Sequence, residues 1–85
     1  MKLYKVLNRD GTPCHGGTGR WSLPHDGKPG KWMPAVAVDP CCSGYHLCRL
    51  RDLPLWLGPA ILTVEARGTI VDCPDKIVAA EARLL

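Results

Sequence analysis

From Thr12 to Pro34, glycine and proline recur so often that neither a helix nor a strand has room to establish itself. Proline fixes φ and removes a backbone donor, glycine removes conformational restraint, and a stretch dense in both reads as loop. Trp21, Leu23, Trp32 and Met33 are spaced through it. Two tryptophans supply enough apolar surface to pin such a segment against a core, so it is expected to be an ordered lobe. Irregular segments of this length inside a compact domain are commonly functional.

The rest of the chain must provide that core. Its 85 residues suffice for one domain, 1–85, with the irregular lobe at 12–34. With no Phe, the core falls to Leu, Ile, Val, Ala and the three Trp. Formal net charge is +3, basic but short of the dense positive field of a dedicated nucleic-acid binder. The opening Met1-Lys2-Leu3-Tyr4-Lys5-Val6 carries charge at close intervals and no long apolar run, so it reads as neither a secretory signal nor a membrane span. The chain is expected in the cytoplasm, where five cysteines, an odd number, would be free, metal-bound or redox-active.

Local patterns predict the elements. Leu3 to Leu7 reads as a first strand that ends in the turn composition Asn8-Arg9-Asp10-Gly11. Ala35 to Val38 and Gly44 to Cys48 read as short strands. Asp52 as N-cap, Pro54 in the first turn and Gly58-Pro59 beyond the end punctuate a helix of one to two turns, with Leu53, Trp56 and Leu57 on its sheet-facing side. Ala60 to Arg67 alternates with Leu62, Val64 and Ala66 on one face, the pattern of a half-buried strand. Lys76 to Leu85 admits a helix or a strand. The strand is preferred, with Val78, Ala80, Ala82 and Leu84 together on one face and Ile77, Ala79, Glu81 and Arg83 on the other. The run Glu-Ala-Arg occurs at 65–67 and again at 81–83, so antiparallel pairing would set Glu65 near Arg83 and Glu81 near Arg67. The expected class is α+β: a small, mainly antiparallel sheet with one short helix and the Gly/Pro/Trp-rich lobe beside it.

Cys41-Cys42-Ser43-Gly44-Tyr45-His46-Leu47-Cys48 concentrates three thiols and an imidazole, and Cys14-His15 adds another pair upstream. On a strand, His46 and Cys48 would share a face. Cys14, Cys41, His46 and Cys48 form the best four-ligand set for Zn²⁺, which favours thiolate and imidazole, although the spacing is not that of paired Cys-x-x-Cys knuckles. The same residues could serve nucleophilic catalysis, with a cysteine thiolate and His46 or His15 as base. They could equally be a buried small hydrophobe and a core histidine. A separate constellation, Gly16-Gly17-Thr18-Gly19-Arg20-Trp21 followed by Gly27-Lys28-Pro29-Gly30-Lys31-Trp32, mixes glycines, cations and rings. Arg20, Lys28 and Lys31 could neutralise phosphate and Trp21 or Trp32 could stack on a base, yet neither a P-loop nor a dinucleotide fingerprint is present.

The run from Cys41 to Cys48, the Leu-Trp segment after it, Glu65-Ala66-Arg67-Gly68, Asp75-Lys76-Ile77-Val78 and the closing Ala82-Arg83-Leu84 resemble a family of small proteins of bacteriophages and bacterial genomes. Its pattern is Cys-x-x-Gly-aromatic-His-x-Cys, a variable helix, a strand ending in Gly, and Asp-Lys before a final strand. The resemblance covers about the second half of the chain, falls on Cys41, Gly44, Tyr45, His46 and Cys48, and implies an origin and an architecture without a reaction. The function expected is a non-enzymatic binding module of phage or mobile-element type, which meets a host protein or nucleic acid in the bacterial cytoplasm through Arg20, Trp21, Lys28, Lys31 and Trp32. The alternative is a compact nucleotide-handling enzyme domain centred on His46, with the Gly16 to Arg20 loop holding phosphate.

Overall fold

The computed structural model describes residues 2–14, 19–39 and 44–85. Four strands form one antiparallel sheet: β1 (Leu3–Leu7), β2 (Tyr45–Leu47), β3 (Ala60–Asp72) and β4 (Ile77–Leu84), in the spatial order β1-β3-β4-β2. The sheet curls into a half-barrel, and its two outer strands touch where Tyr4 and Cys48 exchange backbone hydrogen bonds of 2.8 Å in both directions. Leu3, Leu7, Trp21, Leu47, Val64, Ile77, Ala79, Ala82 and Leu84 fill the concave side. Each fully buried Leu or Ile side chain there contributes about 1.5–3 kcal/mol.

This architecture is mainly β, which corrects the expected α+β class. The one helical piece among the described residues is a six-residue 3₁₀ turn, Leu50–Leu55. Asp52 is not its N-cap. Its carboxylate accepts the backbone N–H of Arg49 at 2.9 Å and Nε of Arg49 at 2.8 Å, so Asp52 stands three residues inside and the turn closes by i to i+3 bonds such as Asp52 N to Arg49 O. Tightened in this way, the segment cannot present the expected apolar stripe. Trp56 is tied to the β3–β4 turn through Nε1 to the Asp75 carbonyl at 2.8 Å, but Leu57 points out.

The preference for a strand at the end of the chain holds, and the cross-strand pairs are those expected. Glu65 lies opposite Arg83 and Arg67 opposite Glu81, with ion pairs of 2.6 and 2.9 Å. The faces of β4 differ from the alternation read in the sequence. Gly68 and Thr69 of β3 together oppose Ala80, a bulge that Gly68 permits with φ of +78°. The core set on β4 therefore runs Ile77 and Ala79, then Ala82 and Leu84, changing parity at the bulge.

The strand expected at Ala35 to Val38 is absent. Here Gly30, Met33 and Val36 donate to the carbonyls of Leu84, Ala82 and Ala80. Three residues of the segment span two of β4, and Pro34 has no donor, so the segment follows the β4 edge without making a ladder. The lobe is pinned as its composition suggests, with Trp21 buried in the core and Asp26-Gly27 (φ 52° and 72°) making a two-residue turn between His25 and Lys28.

Candidate functional site

β1 and β2 meet along a seam that a continuous ladder does not close. Pairing Tyr4 with Cys48 would next set Val6 against His46, but side chains satisfy both of those carbonyls instead. The Lys5 ammonium donates to His46 O at 2.9 Å, and Cys14 Sγ donates to Val6 O at 3.7 Å. Lys5 also lies 5.5 Å from the centroid of the Trp21 ring, which packs edge-on against Tyr45 with centroids 5.3 Å apart. Tyr45 and Leu47 pack toward the core, so His46 and Cys48 share the opposite side of β2. Three of the four residues singled out for metal binding, Cys14, His46 and Cys48, thus border this seam with Lys5, while Cys41 lies outside the described residues.

The electrostatics of the seam do not suit a nucleophilic thiolate. Among the described residues no three His, Cys, Asp or Glu side chains converge as a metal shell. The cation near the thiols of Cys14 and Cys48 is the Lys5 ammonium, whose pKa burial lowers and those thiols partly restore. A reactive thiolate needs a thiol whose pKa is depressed, as beside Lys, Arg or an imidazolium. Burial, with Asp52 and Asp75, instead pushes the Cys48 thiol up against the pull of Lys5. His46 moves down, by burial first, then by Lys76 and Lys5, with Asp75 opposing. Cys14, Cys48 and Cys73 are all free thiols.

The direction of the His46 shift makes a prediction. The folded chain disfavours imidazolium, so between the lowered folded pKa and the ordinary value of 6.5 the unfolded chain binds more protons. Stability contributed by this group therefore rises with pH across that window, and the whole penalty is present below it. Urea unfolding at pH 5 and pH 7.5 is expected to show a loss at pH 5 that His46→Gln reduces, and an NMR titration midpoint at or above 6.5 would contradict the assignment.

A second cluster covers the convex side of β3 and β4. Trp32 is half-buried there, with the guanidinium carbons of Arg67 and Arg83 at 3.8 and 4.8 Å from its ring centroid. Each guanidinium is also held by a carboxylate, Arg67 by Glu81 and Arg83 by Glu65, which offsets the positive field of the stack. Of the other expected contact residues, Trp21 is 4% exposed and serves the core, Arg20 is exposed 4.0 Å from Asp10, and Lys28 and Lys31 are exposed. The expected phosphate loop falls partly outside the described residues, at 16–18. An open cleft of about 410 Å³ is lined by Pro24, His25, Gly27, Lys28, Pro29 and Leu85, so it contains neither His46 nor Arg20.

Sequence patterning gave no sign of a third feature. Leu50, Leu55 and Leu57 are 69%, 66% and 62% exposed within eight consecutive residues. The turn that carries them is fixed at both ends. Arg49 bonds Asp52 and reaches the Cys73 carbonyl at 2.5 Å, while Trp56 bonds Asp75 O. Helical spacing would place Leu57 on a buried stripe, but the 3₁₀ turn ends at Leu55 and Leu57 beyond it is exposed.

No helix among the described residues is long and apolar enough to cross a membrane. Comparison with known protein families, curated proteins and solved structures finds no match to this chain.

Proposed function

We propose that this chain is a small non-enzymatic binding module whose partner is a protein, met through the leucine-bearing turn at Leu50 to Leu57. The observation that carries this reading is the exposure of three leucines on a segment clamped rigidly to the sheet. Large apolar side chains gathered on a soluble surface mark protein contacts, and a prearranged surface loses little entropy on binding. Arg51 is exposed on this turn, whereas the one acidic group there, Asp52, is buried against Arg49. The complementary surface is therefore apolar with acidic residues at its margin. The carboxylates bound to Arg67 and Arg83 weigh against a nucleic acid on the Trp32 stack. The sequence resemblance to phage and bacterial proteins supports a cytoplasmic host protein as the partner.

The test immobilises the purified domain, passes a nuclease-treated bacterial lysate over it, and repeats the capture with the double variant Leu50→Asp, Leu55→Asp. The expected result is a protein retained by wild type that, once purified, binds the variant about tenfold or more weakly. A matching circular dichroism spectrum confirms that the variant is folded. Retention that disappears with nuclease, or equal affinity for wild type and variant, removes the reading.

A further inference from the structure

β3 is longer than either neighbour can cover. β1 pairs with Ala60 to Val64 only, whereas β4 follows the other edge from Val64 to Asp72. Among the described residues the β1-side edge of β3 therefore has no strand beside it from Ala66 to Asp72, and Arg67, Gly68, Thr69, Ile70 and Asp72 are all exposed. Cys73 N donates to Lys76 O, so by alternation the backbone groups of Thr69 and Val71 point to β4 and those of Ile70 and Asp72 point outward. Open edges are ordinarily blunted by charge, proline or a bulge. Here Arg67, Asp72 and the Gly68 bulge lie around the stretch, while Thr69-Ile70-Val71 itself has no charge and no proline.

We propose that this edge is a self-association surface on which two copies of the chain pair antiparallel about a two-fold axis at Ile70. The side chains select that occupant and that register. Ile70, 43% exposed, meets Ile70 of the second copy, so an apolar group on each side leaves water. Thr69 then faces Val71 of the second copy, a β-branched pair on either side of the axis. Asp72 faces Gly68, which has no side chain to collide with, and no two like charges stand opposite. Moving the register by one pair in either direction sets Ile70 against Gly68 or against Asp72, and the apolar match is lost. The contact is small beside a standard interface, so association belongs at roughly 0.1–1 mM. It uses none of the three exposed leucines, although Arg49 at the start of their turn lies 3.6 Å from the Asp72 carboxylate.

Sedimentation equilibrium in reductant, which excludes linkage through Cys73, reads the result. Wild type is expected to rise from 9.3 kDa toward twice that mass with concentration. Ile70→Lys alone and Ile70→Asp alone are expected to stay monomeric, because like charges meet on the axis, and an equimolar mixture of the two regains the dimer. Amide exchange on wild type tests the same register without substitution: the Ile70 and Asp72 amides slow as concentration rises, while those of Thr69 and Val71, already bonded to β4, do not change. Wild type that remains at 9.3 kDa through about 1 mM, Ile70→Lys that associates like wild type, or Ile70 and Asp72 amides that ignore concentration, each overturns the proposal.

Discussion

Replacing Leu47 with alanine is expected to destabilise the domain by about 2–5 kcal/mol, a large part of the roughly 5–15 kcal/mol available to a fold of this kind. Leu47 is fully buried in the core cluster, on a strand only three residues long. β2 is held by its pairing with β4 and by the Tyr4–Cys48 bridge, so a cavity at Leu47 weakens the strand contact that, among the described residues, closes the half-barrel. Urea unfolding gives the magnitude. Leu55→Ala is the control, because that side chain is mostly in solvent and its loss is expected to stay within about 0.5 kcal/mol. Similar losses for the two variants would show that the core does not lie where the curled sheet puts it.

Gly30→Ala is expected to cost at least about 3 kcal/mol, at or beyond the upper end of ordinary overpacking. A Cβ built on Gly30 overlaps the backbone carbonyl of Ser22, and a backbone atom cannot swing aside as a side-chain tip can. The residue also donates to Leu84 O, the first of three bonds that fasten the lobe along β4. Gly27→Ala is the informative comparison. It carries a φ of +72° but has open space around its Cβ, so its penalty is one of backbone conformation alone and is expected to be nearer 1 kcal/mol. Thermal or urea unfolding of both variants checks the order, and a Gly30→Ala protein as stable as wild type would mean that the lobe does not pack on β4 in this way.

Much of the sheet was legible because neighbouring residues carry the information. A β-prone run before a turn located β1, alternation located β3 as far as Arg67, and the repeated Glu-Ala-Arg run set β3 against β4 in the observed register, since opposite charges on facing strands are satisfied by one alignment only. The helix was misread because Asp52 was matched to the N-cap position, whereas Arg49, only three residues before it, binds its carboxylate and makes it the third residue of the turn. The guanidinium and backbone N–H of Arg49 claimed the carboxylate that was expected to cap the turn. On β4, strict alternation failed at Ala80 because the bulge that shifts it belongs to β3.

The candidate sites divide in the same manner. Cys14, His46 and Cys48, singled out in the sequence as candidate ligands, border one seam, and alternation places the last two on one side of a strand. What it could not supply was Lys5, forty-one residues from His46 along the chain, whose ammonium takes the His46 carbonyl. Trp21 and Trp32 looked equivalent as rings in a glycine-rich lobe, yet one is core and the other lies beneath two guanidinium groups.

Composition and spacing alone determined an irregular lobe pinned by an aromatic ring and antiparallel strands with matched charges, because these follow from backbone freedom, side-chain period and nearest-neighbour pairing. Tertiary structure decided the curl of the sheet, the parity of β4, the exposure of Leu50, Leu55 and Leu57, and the open edge of β3. Each of those depends on which distant groups reach a given carbonyl, carboxylate or strand edge first, and a one-dimensional pattern holds no record of that contest.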